Sequence, residues 1–410
     1  MTPSRHRVAP SPAPVDLSAR TAPFLFQGPD GAIGATGTLH PLPRGPLATL
    51  PDRISRAMEG MAPTGLIGGA LPFDRDADDC LWMADQTSRT PIAARTQPEI
   101  APTWTVTPEP SAEAYAEAVQ QALDLMKNQA NLPQPLRKIV LARTLALVCD
   151  QVIPVPSVLA RLCQDASVTA FQVALPPSTD TGPDTVTDTA TDTDGARLLV
   201  GASPELLVRK SGAQILSHPL AGSARRRSDA AQDRAAAQAL TASAKDLREH
   251  AIVVEFILDT LAPHCTTLTA PSVPEITSSA TMWHLGTPIR GELRDADMPS
   301  VQIAGLLHPT PAVCGSPRDR AAQIIQQLEP VARDFYAGAV GWTAANGDGA
   351  WYVSIRCAEI QGRSARLYAG AGIVPGSVPA QEAAETGAKF AALLRALGLP
   401  HDMAIPTDPH

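Results

Sequence analysis

The chain of 410 residues lacks the features that mark several large functional classes. It has no Lys/Arg-rich run beyond Arg225-Arg226-Arg227, and its formal net charge is −8, which argues against nucleic acid as a partner. Its six cysteines (Cys80, Cys149, Cys163, Cys265, Cys314, Cys357) are scattered, with neither a CxxC pair nor His/Cys zinc spacing. They read as reduced, buried thiols of a cytoplasmic protein. No apolar run approaches the length of a bilayer span, and residues 1–20 are polar and proline-rich, without the apolar segment of a secretory signal. GxSxG, HExxH, a Walker loop and a dinucleotide fingerprint are all missing, and Gly370-Ala-Gly372 lacks the third glycine of a nucleotide site. The absences predict a soluble, cytoplasmic protein with neither membrane nor nucleic-acid partners.

What is present points to a folded catalytic chain. Hydrophobic residues make up 44% and charged residues 18%, enough for a sizeable core. Residues 1–20 read as a flexible tail and 21–400 as one catalytic domain, because no repeat or clear linker interrupts 100–400. Within it, 21–100 reads as strands and turns punctuated by Gly and Pro. The Thr/Asp-rich run 178–195 cannot bury apolar surface and reads as a disordered insertion between neighbouring strands at 171–175 and 196–201. Its Asp-Thr pairs lack the Gly and Glu spacing of a calcium loop.

Ser111 caps a predicted helix with the stripe Tyr115, Val119, Ala122, Leu123 and Met126. Residues 137–147 follow as an aliphatic strand with Lys138 at its start. Helices are predicted at 229–240 and 245–261, the second setting Lys245 and Glu249 at i, i+4, and again at 319–329 and 379–397. Strands are predicted at 283–289, 337–342, 351–360 and 367–370. The fold class is α/β of the α+β kind, with mostly antiparallel sheets packed by outer helices.

One stretch concentrates candidate chemistry. Leu367 to Gly376 predicts a strand running into a glycine turn, followed by a helix that sets Glu382, Glu385 and Lys389 on one face. The turn would offer backbone N–H groups to an anion and the carboxylates would offer oxygens to a hard cation; a solvated helix face is the other reading. Lys138 is either a strand-end charge reaching water or, desolvated in a cleft, a general base. Glu205, in a turn between apolar strands, is either solvated or, against apolar walls, a general acid. Glu249 either suits its helix dipole or completes a Mg²⁺ site with Glu385. Arg356 is a lone charge in a predicted strand and wants a carboxylate partner. His218, His284 and His308 lack metal-ligand spacing.

Taken in order, Lys138-Ile-Val-Leu-Ala-Arg143, Gly201-Ala-Ser-Pro-Glu205, Pro219-Leu-Ala-Gly-Ser223, Lys245-Asp-Leu-Arg-Glu-His250, His284-Leu-Gly-Thr287, Leu307-His-Pro-Thr-Pro-Ala-Val-Cys-Gly315, Ser354-Ile-Arg356, Gly370-Ala-Gly-Ile373 and Glu382-Ala-Ala-Glu-Thr-Gly-Ala-Lys389 resemble the chorismate-utilising enzymes. Among them the chain looks most like isochorismate synthase of the catechol-siderophore type, over roughly residues 100–397. The resemblance implies a Mg²⁺-dependent isomerase with its site in a cleft between two sheet-and-helix halves. By similarity, Lys138 would activate the water that attacks C2 of chorismate, and Glu205 would protonate the departing C4 hydroxyl. Glu249 and Glu385 would hold Mg²⁺, supported by Asp246 and Glu382. Gly222, Ser223, Gly370 and Gly372 would line the carboxylate pocket with Lys389 beside it. Tyr336 and Arg356 would grip the enolpyruvyl carboxylate, and His284 would sit close to the ring.

Ser223 stands where many relatives have threonine, which keeps the hydroxyl. The resemblance further implies a cytoplasmic monomer that feeds 2,3-dihydroxybenzoate or salicylate synthesis. The chain has no glutamine-hydrolysing Cys/His segment, so no glutamine amidotransferase subunit is expected. Salicylate synthases and menaquinone-pathway isochorismate synthases are the alternatives. Ammonia-using relatives are disfavoured by Lys138.

Overall fold

The apolar runs of this sequence find their partners almost entirely in antiparallel ladders. Residues 22–92, 102–177 and 195–400 are described by the computed structural model. Among them, seventeen strands join one extended, branched sheet, and Leu220–Arg225, Met282–Gly286 and Glu275–Ser278 form a second sheet of three. Eight α-helices pack against these sheets, as the α+β reading expects. No helix among the described residues is long and apolar enough to cross a membrane. The tail 1–20 and the insertion 178–195, apart from Gly195, lie outside the described residues.

The strand Lys138–Cys149 organises the site and is buried along nearly its whole length. It pairs throughout with Ser364–Ile373, and also with Trp104–Glu109 and Gly315–Ser316. The helix Ala112–Asn128 lies against it, with the Tyr115 hydroxyl donating to the Leu141 carbonyl at 2.9 Å. Arg143 Nε donates to Thr386 Oγ1 at 2.7 Å, fastening the strand to the C-terminal helix Pro379–Ala396. Each aliphatic side chain buried here, Leu141 for example, contributes about 2 kcal/mol. The lysine at the head of this strand is fully buried.

The helix starts follow from local chemistry. The Ser111 hydroxyl accepts from the Ala114 N–H at 3.3 Å, and Asp229 and Ser243 cap the helices Ala230–Ala242 and Ala244–Leu261 in the same way. Pro379 opens the C-terminal helix, where a missing N–H costs nothing.

Several predicted elements change form. The strand predicted at 283–289 is two strands in different sheets, Met282–Gly286 and Ile289–Leu293. Pro288 cannot donate to a ladder, and the chain changes sheets there. The strand predicted at 351–360 is likewise split into Gly349–Val353 and Cys357–Gln361. Arg356 sits in the break with φ +52°, outside any strand. The glycine turn is also corrected: Gly370 and Gly372 lie inside the strand Ser364–Ile373, opposite Ala142 and Val140, and the turn comes later, at Pro375-Gly376. The short helices Leu50–Glu59, Val155–Leu162 and Ser300–Leu307 occupy stretches where none was predicted.

Candidate active site

The site forms where the two sheets meet the helices Ala244–Leu261 and Pro379–Ala396. All the expected site residues except Lys138, Asp246 and Glu382 line one cleft, which encloses about 630 Å³ including its open mouth.

Three local devices bring these side chains together. The first is a β-bulge: Gly222, at φ +77°, breaks the register of Leu220–Arg225 against Met282–Gly286 between Ala221 and Ser223. The bulge aims the Ser223 hydroxyl at Glu385 Oε1, 2.8 Å away. The second is the pair of strand glycines. A Cβ on Gly372 would stand 2.0 Å from Glu249 Oε1, and one on Gly370 would stand 3.0 Å from the Tyr336 hydroxyl. These glycines make room for side chains rather than offering turn N–H groups. The third is the turn Pro204-Glu205, held by Ser203, whose Oγ donates to the Val353 carbonyl at 2.6 Å and accepts from the Glu205 N–H at 3.2 Å.

Charges in the site are arranged in pairs. Lys138 is fully buried, and its Nζ lies 3.0 Å from Glu249 Oε1. The two are in ion-pair contact without hydrogen-bond alignment, so the ammonium has no directional partner. Lys389 Nζ lies 2.6 Å from Glu385 Oε1 and donates to the Gly370 carbonyl at 2.8 Å. Lys245, set by its spacing beside Glu249, instead donates to Glu382 Oε1 at 2.7 Å.

Burial works against the Glu385 charge, yet Lys389, Ser223 and Lys245 hold its pKa below the usual carboxylate range. Glu382 behind it is raised, first by burial and then by the Glu385 charge, against the opposing pull of Lys245. Asp246 is raised by burial as well.

Glu205 is the carboxyl that stands apart. Burial lifts its pKa to about 7, against the Leu220 N–H and the charges of Lys138, Lys389 and Arg356, so it holds a proton near neutrality. The Arg356 side chain makes no ion pair or hydrogen bond among the described residues, although it is buried, and burial lowers its pKa to about 10. It remains a cation with no protein anion attached. His284, opposite Ser223 in the small sheet, is held neutral by burial and by Arg356 and Lys389, and its Nε2 has no hydrogen-bond partner among the described residues. Tyr336 is buried with its phenol pKa raised, so its hydroxyl stays a hydrogen-bond donor.

Tyr368, which sequence reasoning passed over, also lines the cleft, stacked on Tyr336 with ring centroids 4.8 Å apart. Strand alternation carried the signal, since Tyr368, Gly370 and Gly372 share one face. His250 was missed as an individual residue too; it is buried, with Nε2 2.7 Å from the Thr287 hydroxyl.

Glu249 and Glu385 present hard oxygens to the cleft, and Asp246 and Glu382 stand behind them. No three His, Cys, Asp or Glu side chains among the described residues converge on one point. Paired carboxylates of this kind suit a hard cation that takes few protein oxygens and completes its shell with ligand and water, as Mg²⁺ does. The missing side chain at Gly372 leaves room for the Glu249 carboxylate.

Comparison with known proteins identifies the family. The model of the "Chorismate binding enzyme" family matches residues 188–398. "Isochorismate synthase DhbC" of Bacillus subtilis (strain 168) is 38% identical over 390 residues, covering 92% of this chain and 94% of that protein. The crystal structure described as a putative 2,3-dihydroxybenzoate-specific isochorismate synthase, DhbC, from Bacillus anthracis superposes with a TM-score of 0.82 at 38% identity, covering 92% of this chain and 96% of that one. MenF, described as the menaquinone-specific isochorismate synthase from Escherichia coli, superposes at 0.71 with 26% identity, covering 92% and 88%. The chain belongs to the chorismate-binding enzyme family.

Proposed function

We propose that the protein is an isochorismate synthase, an isomerase that converts chorismate to isochorismate. The observation that carries this reading is Glu205, a carboxyl buried in the cleft wall and held near pKa 7. A hydroxyl leaves an allylic ring carbon only if it is protonated as it departs, and a carboxyl protonated near neutral pH is suited to that task.

Lys138, paired as an ammonium with Glu249, must first lose a proton, and the resulting neutral amine takes a proton from the water that attacks C2 of chorismate. The ring double bonds shift, and the C4 hydroxyl takes a proton from Glu205 and leaves as water. One water enters and one departs, so the product is an isomer. Lys138 does not line the cleft itself but lies 3.0 Å from Glu249, which does, so this reading requires Glu249 to turn aside for the amine to meet the attacking water. Tyr336 donates its hydroxyl, and Arg356, without a protein partner, pairs with the enolpyruvyl carboxylate. Gly222, Ser223, Gly370 and Gly372 border the ring carboxylate, Lys389 lies beside them, and His284 packs near the ring.

Glu249 and Glu385, backed by Asp246 and Glu382, would hold Mg²⁺, whose charge neutralises and orients the ring carboxylate when bound. Residues 21–400 act as one catalytic domain, in a cytoplasmic monomer without a glutamine amidotransferase subunit. Similarity to relatives described as 2,3-dihydroxybenzoate-specific and vibriobactin-specific supports a place in siderophore synthesis, and the menaquinone pathway is the alternative that a MenF-named relative at 39% identity favours.

Chromatographic identification of the product from chorismate and Mg²⁺ tests the reading. Isochorismate is the expected product. Stoichiometric pyruvate with salicylate would instead mark a salicylate synthase.

A further inference from the structure

Tyr336 enters the cleft from a short loop of uncommon backbone shape. Asp334 and Ala337 on either side of it have φ +46° and +58°, left-handed values that residues with a Cβ seldom adopt. A guanidinium outside the cleft lining fastens that loop. Arg197, at the foot of the strand Leu198–Ser203, donates from Nη2 to Asp334 Oδ2 at 2.5 Å and to Glu359 Oε2 at 2.7 Å. Its Nε reaches the same Glu359 oxygen at 3.3 Å, and its Nη1 reaches the Pro176 carbonyl at 3.3 Å.

The other oxygen of Glu359 accepts from the Tyr368 hydroxyl at 3.2 Å. The Tyr368 ring in turn lies against Tyr336, with ring planes 12° apart. One cation thus holds both the backbone that carries Tyr336 and the ring on which Tyr336 rests.

We propose that Arg197 is a positioning residue for substrate binding, acting on Tyr336 through Asp334 along one arm and through Glu359 and Tyr368 along the other. The planar fork of arginine serves both arms at once, whereas a lysine ammonium would serve one well. The proposal rests on the reading of Tyr336 as a substrate contact.

The test is a double-mutant cycle in steady-state kinetics with Arg197→Ala, Tyr336→Phe and the double variant, with Arg197→Lys as the conservative control. Arg197→Ala should raise KM for chorismate about tenfold while kcat stays within about threefold, Arg197→Lys should recover part of the loss, and in the Tyr336→Phe background the Arg197 change should add less than about threefold. An unchanged KM in Arg197→Ala, or the full tenfold effect persisting without the Tyr336 hydroxyl, overturns the proposal.

Should Arg197→Ala fail to fold, Asp334→Gly and Glu359→Ala cut the arms separately. Glycine tolerates the left-handed backbone at 334. Each variant should reproduce part of the KM rise, and wild-type KM in both overturns the proposal. Chorismate titration by calorimetry keeps the two claims apart. Binding without isomerisation sinks the functional reading alone, and the same Arg197–Tyr336 coupling, read in Kd, then decides the clamp.

Discussion

The carboxylate of Glu249 fills the space that a side chain on Gly372 would take. A Cβ there would meet Glu249 Oε1 at 2.0 Å and Cδ at 2.7 Å. The obstacle is the far end of a flexible side chain, so Gly372→Ala should still fold, with a lower melting temperature from the disturbed Lys138–Glu249 pair, and push Glu249 aside. We expect activity to fall by about a hundredfold, roughly 2.7 kcal/mol of transition-state stabilisation, with a higher Mg²⁺ requirement. Near-wild-type kinetics at limiting Mg²⁺ would show that Glu249 is not positioned by this vacancy.

Glu205 makes the reaction and the fold pH-dependent in one direction. Its pKa in the folded chain is raised from 4.5 to about 7, so the folded state binds the proton more tightly than the unfolded one. Its contribution to stability is complete below about 4.5 and is lost as pH rises through 7, amounting to about 3 kcal/mol. Because the acid must be protonated, kcat/KM should also decline above about pH 7. Glu205→Gln should abolish that limb, lower the rate by about 10²–10⁴-fold, and make the protein more stable than wild type at pH 8. A pH–rate profile and denaturant melts at pH 5 and pH 8 check these outcomes.

Lys138 and Glu249 form a buried pair, so removing one member strands the other. Lys138→Met keeps most of the volume but leaves the carboxylate without its cation, a change that typically costs about 3 kcal/mol. Activity should drop by about 10²–10⁴-fold, and the melting temperature should fall with it. Retained turnover in a folded Lys138→Met protein would remove lysine from the chemistry.

Ser223 should act through Glu385. Ser223→Ala deletes the 2.8 Å hydrogen bond that helps keep the Glu385 pKa low. Losing a hydrogen bond to a charged group costs about 2 kcal/mol, and we expect it as a raised Mg²⁺ concentration for half-maximal activity. Ser223→Thr restores the hydroxyl and should behave as wild type. A Mg²⁺ titration of both variants checks this.

Much of the architecture was legible locally, because capping and periodicity are local signals. Ser111 declared the start of one long helix, and the spacing of Glu382, Glu385 and Lys389 declared their common face. What stayed hidden depends on contacts between distant segments. Arg356 reads as a strand residue by propensity, yet Ser354 bonds to the Phe335 and Gly338 carbonyls, and the Arg356 carbonyl accepts from Ala202, pulling the chain out of the ladder. Gly370 and Gly372 read as a turn because glycine usually marks one. Their use as strand residues that admit Glu249 and Tyr336 needs the neighbouring elements in place. The helices Val155–Leu162 and Ser300–Leu307 span only 8 residues each, too few for periodicity to separate helix from buried strand.

The burial of Lys138 was the least visible part. Its exposure depends on Glu249, more than a hundred residues away, and on the helices that seal the strand. A lysine at a strand end gives no hint of that by itself.

The most direct test is to follow one substrate to its product. Purified protein incubated with chorismate and Mg²⁺ should yield isochorismate, with little product after chelation of the metal and no enzyme-dependent pyruvate. Unchanged chorismate under these conditions, or an aromatic product with release of pyruvate, would contradict the account.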